Sequence, residues 1–394
     1  MKANRISRAT IALLFAAFTC MGKTRPALAQ GENVLYNFCA LSGCADGSTP
    51  VSPVIKDAEG NLYGTTYFGG AFNSGTVFKL SLGGTLTVLH SFGGGSTDGS
   101  QPSGALARDT KGNLYGTTVT GGANRSGTVF KLNPAGTETI LHSFGANTSD
   151  GLYPAAGLTI DAEGNLYGTT PNGGKGFGAG TVFKVGANGS YTILHAFSGA
   201  PDGLTPVAPV VLDQHGNLYG TTKYGGAAGV GTVFTISSAG TETVLYGFTI
   251  ADGDKGNGVF PDGGLVVDAE GNLYGTTFDG GAFHCGVAFK LAPDGTETVL
   301  HSFGGAGDGL HTQSGLVMDG QGNLYGTTFQ GGEYGYGIVF ELGPTGTETI
   351  LHSFDGSDGA APEGGLLIDS LGNLYGTTSS GGGGDQGTVF EITP

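Results

Sequence analysis

The sequence contains no tryptophan and few charged residues, which make up 12% of its 394 positions. Lysine and arginine together number 16 against 32 aspartates and glutamates, so the formal net charge at pH 7 is −16. A chain with this excess of acid repels phosphate groups, which argues against a nucleic-acid partner and against binding to anionic lipid. After residue 30, no apolar run reaches the roughly 18 residues that a membrane-spanning helix needs. We therefore expect no membrane span.

The first 29 residues have the pattern of a secretory signal peptide. Three basic residues come first, namely Lys2, Arg5 and Arg8, and an apolar run follows at 11–18. Ala27-Leu28-Ala29 then has the small-residue spacing of a cleavage site. We predict a signal peptide over 1–29, a folded domain over 30–394, and a secreted protein, either extracellular or periplasmic.

Cysteine is also scarce, with four in the chain. Cys20 lies in the predicted signal peptide, so three cysteines remain after cleavage. Cys39 and Cys44 flank a short segment, and export would place them in an oxidising compartment, where a local disulfide is expected. That pairing would leave Cys285 unpaired.

Glycine, by contrast, is abundant, with 80 residues, and much of it belongs to repeats. Near-copies of Gly-Asn-Leu-Tyr-Gly-Thr-Thr begin at Gly60, Gly112, Gly164, Gly216, Gly271, Gly322 and Gly372. Each repeat, of about 52 residues, carries four strand-like runs, and such a unit cannot bury its faces without neighbours. The sequence predicts an all-β fold, a seven-bladed β-propeller of four-stranded antiparallel blades.

The two ends of the folded domain complement each other. The last repeat stops after the strand-like run at 388–392, without a fourth strand, and the run at 33–38 matches the missing strand. We predict that the N-terminal strand completes the last blade, because this closure removes the open sheet edges that promote aggregation.

Three phrases recur through 31–394, namely Asp-x-x-Gly-Asn-Leu-Tyr-Gly-Thr-Thr, Gly-Gly and Gly-Thr-Val-Phe-Lys-Leu. Together they resemble the Gloeo/Verruco family of tandem repeats, also called GloVer or choice-of-anchor repeats. The first phrase is also similar to the NHL propeller repeat. The resemblance implies export and a propeller fold, and it implies no established activity and no catalytic motif.

The loops after Gly-Thr-Thr differ between repeats, whereas the rest of the repeat is nearly constant. Aromatic rings in such loops can stack on the apolar faces of sugars. The candidate ligand-binding aromatics are Tyr67, Tyr224, Phe278, Phe329, Tyr334 and Tyr336. The alternative is that these rings only cover neighbouring blades.

Two basic residues interrupt an apolar position on the predicted inner strands. Lys56 and Arg108 stand there in the first two repeats. If their side chains point into the central channel, they can bind an anionic group such as a uronic acid. The alternative is that they extend to solvent at the turn.

Acidic and soft side chains suggest two metal sites. Asp252 and Asp254 lie in an insertion that resembles a calcium loop, although glycines stand where two of its ligands are expected. His284, Cys285 and His311 offer nitrogen and sulfur ligands of the kind that zinc prefers. Of the two sites, the sequence favours the one for calcium.

Two repeated positions have a structural interpretation. An Asp-Gly pair recurs between blades and is typical of a turn, although a ring of such carboxylates can also hold hard cations. Five histidines occupy one fourth-strand position, His90, His142, His195, His301 and His352, and we interpret them as framework residues.

No Gly-x-Ser-x-Gly, Walker or His-Glu-x-x-His motif occurs in the sequence. The first hypothesis is therefore an exported, monomeric binding or scaffold module for carbohydrate or an extracellular protein. The alternative is a propeller enzyme, a lyase or hydrolase acting on polysaccharide or lactone, with a metal-assisted site at the mouth of the channel.

Overall fold

The computed structural model describes residues 31–94, 97–175, 178–250 and 257–393. The predicted signal peptide lies outside these residues. The described chain forms seven four-stranded antiparallel sheets, accompanied by five short two-stranded ribbons. This arrangement confirms the predicted all-β seven-bladed propeller, and we number the blades 1 to 7 from the sheet that contains Ile55.

Each blade has strands A to D from the centre outward. Strands A are Ile55–Lys56, Ala107–Arg108, Thr159–Ile160, Val211–Leu212, Val266–Val267, Val317–Met318 and Leu367–Ile368. Strands B are Leu62–Thr66, Leu114–Thr118, Leu166–Thr170, Leu218–Thr222, Leu273–Thr277, Leu324–Thr328 and Leu374–Thr378. Strands C are Thr76–Leu80, Thr128–Leu132, Thr181–Val185, Thr232–Ile236, Val287–Leu291, Ile338–Leu342 and Thr388–Thr393. Strands D are Leu86–Ser91, Glu138–Ser143, Tyr191–Ala196, Glu242–Gly247, Glu297–Ser302, Glu348–Ser353 and, for blade 7, Gly31–Asn37.

The loops between strands B and C and the connections between blades lie on one face, which we call the long-loop face. Short ribbons join these two kinds of loop, pairing Gly99–Ser100 with Thr120–Gly121, Gly151–Leu152 with Asn172–Gly173, Gly203–Leu204 with Tyr224–Gly225, Gly258–Val259 with Asp279–Gly280, and Gly309–Leu310 with Gln330–Gly331. In the described part of the chain, one 3-10 turn covers Ser42–Cys44. The A–B and C–D turns lie on the opposite face, the short-turn face.

The N-terminal strand closes the ring as predicted. Gly31–Asn37 pairs antiparallel with Thr388–Thr393 and becomes the outer strand of blade 7. Phe38, which follows it, is buried and packs edge-on against Phe78 of blade 1, with ring centroids 5.2 Å apart. The two ends of the chain are thus joined through both a sheet and a core contact.

The recurring Asp-x-x-Gly-Asn-Leu-Tyr phrase builds the A–B turn. In blade 1 the carboxylate of Asp57 accepts hydrogen bonds from the backbone N–H of Asn61 at 2.8 Å and from the Tyr63 hydroxyl at 2.9 Å. Desolvation raises the pKa of Asp57, but the bonds from Asn61 and Tyr63 outweigh it and lower the pKa overall. The same contacts recur in all seven blades, which explains why this phrase is the most constant part of the repeat.

The hydrophobic core is divided among the seven interfaces between blades. At each interface a phenylalanine after strand D packs against a phenylalanine of the next blade, edge-on in most blades, as Phe92 does against Phe130 at 5.2 Å. The glycine of Leu-Tyr-Gly-Thr-Thr makes room for this ring, since a Cβ at Gly64 would lie 2.7 Å from the ring of Phe78. The repeat is therefore constant where neighbouring blades touch.

Candidate functional site

A narrow axial cavity of about 280 Å³ opens at the centre of the ring, where all seven inner segments meet. Its wall consists mainly of alanine, glycine, proline and valine. The inner segments lie so close together that a Cβ atom at Gly104 would be 2.3 Å from the carbonyl oxygen of Ala156. Three residues of the wall have polar side chains that are long enough to reach a ligand, namely Asp262, Gln313 and Glu363.

A collar of variable side chains surrounds the cavity on the long-loop face. Each blade contributes two residues to it. One lies in the connection that leads into the blade, and the other directly follows Gly-Thr-Thr. The connection residues are Thr49, Gln101, Tyr153, Thr205, Phe260, His311 and Ala361. The residues after Gly-Thr-Thr are Tyr67, Val119, Pro171, Lys223, Phe278, Phe329 and Ser379. We call these fourteen residues the collar, and in most blades its two members are joined by a backbone hydrogen bond, as in Phe278 to Phe260 at 3.0 Å.

The connection residues of the collar all have a left-handed backbone, with φ between 54° and 61°. Glycine or asparagine adopts this conformation most readily, and other residues pay a cost of about 1–2 kcal/mol. Yet neither residue type occurs at any of the seven positions, and six different side chains stand there instead. Strain that is retained in this way is typical of functional positions.

The most polar part of the collar lies on blades 4 to 6. The ammonium group of Lys223 forms an ion pair with Asp262 at 2.7 Å and lies 5.5 Å from the ring centre of Phe278. Burial is the main influence on Asp262 and raises the pKa of its carboxyl group despite the nearby cation. Its second oxygen, Oδ1, is buried and accepts no hydrogen bond from the described residues. Asp262 therefore lines the cavity and holds an unsatisfied acceptor just beneath its wall.

Next to this ion pair, the ring of His311 stacks on Phe278, with centroids 4.6 Å apart. Nδ1 of His311 lies 3.1 Å from the carbonyl oxygen of Phe278 and 3.3 Å from the carboxylate of Asp279. The ring of Tyr224 packs edge-on against Phe260 at 5.3 Å and remains 38% exposed. Aromatic faces, a cation and two carboxylates thus converge at one side of the channel mouth.

The structure divides the other predicted aromatics between two places. Phe329 and Tyr336 line a second groove on the long-loop face, between blades 6 and 7. Tyr336 and the nearby Tyr334 are 47% and 54% exposed. Tyr67 lies apart on blade 1, against Phe68. The predicted binding aromatics therefore do not form one continuous surface.

The two predicted basic ligands lie toward the short-turn face. Lys56 forms an ion pair with Asp369 of blade 7 at 2.8 Å and hydrogen-bonds the Tyr375 hydroxyl at 2.9 Å. Arg108 is exposed, and its guanidinium lies 5.8 Å from the ring centre of Tyr63. Lys56 is thus occupied by a contact between blades, whereas Arg108 remains accessible.

The predicted calcium ligands Asp252 and Asp254 lie outside the described residues. Of the predicted zinc ligands, His284 is exposed, and the backbone N–H of His311 donates to the carbonyl oxygen of Cys285 at 2.8 Å. Cys285 is the free cysteine of the described chain, whereas Cys39 and Cys44 form a disulfide. The side chain of His311 is directed at Phe278 and Asp279.

Sequence reasoning missed a second group of sites, in the clefts between outer strands. Nε2 of the fourth-strand histidine faces the aspartate of the following Asp-Gly pair, and a glutamate from the next blade completes the group. At the interface of blades 1 and 2, Nε2 of His90 lies 3.4 Å from Asp98 and 3.9 Å from Glu138. Burial, and then the charge of Asp98, raises the pKa of Glu138. We call such a group a junction triad.

Four of the interfaces have a complete junction triad. They are His90–Asp98–Glu138, His195–Asp202–Glu242, His301–Asp308–Glu348 and His352–Asp358–Glu32. At the interface of blades 2 and 3, Tyr191 takes the place of glutamate and stacks on His142. At that of blades 4 and 5, Tyr246 and Asn257 replace histidine and aspartate and hydrogen-bond each other.

A sequence profile of the Gloeobacter/Verrucomicrobia repeat matches residues 26–176, 96–259 and 216–394, three overlapping segments that span the folded chain. The chain belongs to the Gloeobacter/Verrucomicrobia repeat family. This membership confirms the resemblance read from the recurring phrases. A search of curated protein sequences finds no match to this Gloeobacter/Verrucomicrobia repeat chain.

Solved structures with the same fold are distant in sequence. The virginiamycin B lyase of Staphylococcus aureus is 12% identical, with a TM-score of 0.59, over 93% of this Gloeobacter/Verrucomicrobia repeat chain and 99% of the lyase. A streptogramin B lyase is 11% identical, with a TM-score of 0.61 and coverage of 92% and 97%. The extracellular domain of a B. thetaiotaomicron hybrid two-component system is 11% identical, with a TM-score of 0.58, over 91% of this chain and 39% of that one. At these identities the likeness establishes the propeller fold alone.

Among the described residues of this Gloeobacter/Verrucomicrobia repeat chain, no helix has the length and apolar character required to cross a membrane.

Proposed function

We propose that this chain is an exported binding module that takes a carbohydrate at the collar, on the side formed by blades 4 to 6. The observation that carries the proposal is the left-handed backbone of the seven connection residues. These positions keep varied side chains, although glycine would adopt the same backbone with less strain. The predicted signal peptide supports export, and the extracellular two-component domain shows that such propellers occur outside cells.

The chemistry of this part of the collar suits a sugar. Tyr224 is exposed and presents a ring on which the C–H groups of a pyranose can pack, and the half-buried ring of Phe278 supports Lys223 and His311 beside it. The unpaired Oδ1 of Asp262 is buried, and a rotation of the side chain toward the cavity would let it accept a hydrogen bond from a sugar hydroxyl. Lys223 keeps further N–H donors beside its ion pair with Asp262, and these can bind a sugar hydroxyl or the carboxylate of an acidic sugar.

The proposal is tested by titrating the purified protein, residues 30–394, with neutral and uronic-acid oligosaccharides in a calorimeter. We expect one acidic class to bind, and Tyr224→Ala and Phe278→Ala each to weaken binding by about tenfold. Phe72→Ala is the matched control, because Phe72 is an exposed aromatic of the long-loop face outside the collar. Loss of affinity in the control but not in the collar variants would contradict the proposal, and so would a failure of every sugar to bind.

A second candidate function is a lyase or hydrolase acting on polysaccharide or lactone. The observation that favours it is the pairing of His311 with Asp279 at 3.3 Å, close to Asp262, because a histidine held by a carboxylate is a common general base. The experiment is an assay of product release from acidic polysaccharides and lactones by the native protein and by His311→Ala. Turnover that is lost in the variant would favour the enzyme, and binding without turnover would favour the module.

A further inference from the structure

We propose that the four complete junction triads are binding sites for a divalent transition-metal ion such as Zn²⁺, each bridging two neighbouring blades. Every triad supplies a histidine and an aspartate from one blade and its outgoing connection, and a glutamate from the next blade. In each triad, one ligand atom from every residue lies within 4.8 Å of the others. These sites are separate from the collar, so the inference is independent of the proposed carbohydrate binding.

The distances within the triads suit a four-coordinate ion. An ion bound at about 2.0–2.2 Å to nitrogen and oxygen ligands in a tetrahedron holds those ligands roughly 3.3–3.6 Å apart. Nε2 of His301 lies 3.1 Å from the Asp308 carboxylate and 3.6 Å from that of Glu348. The corresponding distances at His90 are 3.4 and 3.9 Å. In these two triads the histidine thus lies close to tetrahedral ligand spacing from both carboxylates, and in the other two the ligand atoms lie within 4.8 Å of one another.

The donor set selects the class of metal. One imidazole nitrogen and two carboxylate oxygens suit Zn²⁺ and its neighbours in the first transition row, whereas Ca²⁺ prefers six or more oxygens. Hydrogen bonds from the backbone N–H groups of Gly304 and Gly309, at 3.0 and 2.6 Å, hold the Asp308 carboxylate in place. Such support is typical of residues around a metal ligand.

The glutamates provide an independent observation. In all four triads the glutamate Oε1 atom is buried and has no hydrogen-bond partner among the described residues. The affected residues are Glu32, Glu138, Glu242 and Glu348. A buried carboxylate oxygen without a partner is costly. The other oxygen, Oε2, faces the histidine in the triads of His90 and His301, so a cation bound by both oxygens of the glutamate removes that cost.

The incomplete interfaces provide natural controls. Glu297 occupies the same strand position as Glu348 and also has a buried, unpaired Oε1 atom, but it faces Tyr246 and Asn257 instead of histidine and aspartate. With one carboxylate and no imidazole, this interface is expected to bind no ion. Glu348→Gln and Glu297→Gln therefore make the same chemical change in a complete and in an incomplete site.

The test is the number of Zn²⁺ ions bound per chain, measured by equilibrium dialysis and calorimetry after removal of metal with a chelator. The native protein is expected to bind four ions, Glu348→Gln three, and Glu297→Gln four. The melting temperature of the native protein should also rise with Zn²⁺, because binding favours the folded state. A native count other than four, or a count in Glu348→Gln that equals the native one, would overturn the proposal. Since the glutamine variants are nearly isosteric, they are expected to fold.

Discussion

The hydroxyl group of Thr377 in blade 7 donates a hydrogen bond of 2.8 Å to the carbonyl oxygen of Ser52 in blade 1, so residues from the two ends of the domain are joined at the channel. The same threonine, the first of Leu-Tyr-Gly-Thr-Thr, makes an equivalent bond to the next blade elsewhere. These bonds are Thr117 to Ala156, Thr169 to Ala208, Thr221 to Gly263, Thr276 to Ser314 and Thr327 to Gly364. This threonine is therefore a connector between blades as well as a strand residue.

Thr377→Val tests that connection. The substitution keeps the shape of the side chain but leaves the buried Ser52 carbonyl without its donor, and we expect a loss of about 1–2 kcal/mol in the free energy of unfolding. Thr87→Val is the control, because Thr87 is exposed on an outer strand. Urea unfolding measures both variants. Equal stability of Thr377→Val and the native protein would show that the bond contributes nothing to closure.

Removal of residues 31–38 tests whether the N-terminal strand is needed to close the ring. The deletion exposes the edge of strand Thr388–Thr393 and uncovers Phe78, so we expect a lower melting temperature and concentration-dependent aggregation. A protein that lacks only residues 1–29 serves as the control. An unchanged melting temperature in the shorter protein would mean that the N-terminal strand is not needed to close the ring.

The sequence was sufficient to predict the fold because the residues that make the contacts within and between blades recur in the repeats. The spacing of Gly-Asn-Leu-Tyr-Gly-Thr-Thr predicted seven blades, and the match between the two ends predicted the closure by Gly31–Asn37. The inner strands are much shorter than the others, as Val266–Val267 is in blade 5. Strands shorten there because the inner segments crowd round the axis, where Gly315 lies too close to Gly264 to accept a side chain.

The sites were harder to predict, because their partners come from different repeats. We interpreted His301 and Asp308 separately, as framework and turn, and no pattern in the sequence links them to Glu348 of the next repeat. One signal was present, however. Tyr246 and Asn257 replace histidine and aspartate together in the same unit, which indicates that the two positions are in contact. The left-handed backbone of the collar could not be predicted in this way, because residue types such as threonine at 205 and phenylalanine at 260 do not indicate a positive φ.

The pH dependence of stability tests the buried glutamates. Burial raises the pKa of Glu297 from 4.5 to about 7, so the folded state prefers the neutral carboxyl. The contribution to stability is therefore complete below pH 4.5 and is lost as the pH rises from 4.5 to 7. We expect Glu297→Gln to be more stable than the native protein at pH 8, by about 1–2 kcal/mol after allowance for partial exposure.

The two proteins should have the same stability at pH 4, where Glu297 is neutral in both the folded and the unfolded state. Urea unfolding in the presence of a chelator measures the difference without metal binding. Glu270→Gln is the control, because Glu270 is exposed on a turn. A gain that persists undiminished at pH 4 would point to a packing effect instead of ionisation.

The last prediction concerns the strain of the collar. Thr205 is a β-branched residue with φ of 60°, and Thr205→Gly should relieve the strain and stabilise the protein by about 1 kcal/mol. At Thr192, an exposed residue within strand Tyr191–Ala196, the same substitution should destabilise it by a similar amount. If Thr205→Gly raises the free energy of unfolding and Thr192→Gly lowers it, the native chain is less stable than it could be because it keeps a side chain at the channel mouth. Destabilisation by both would mean that the Thr205 side chain contributes packing that outweighs its strain, and the argument for the collar from its backbone would fail.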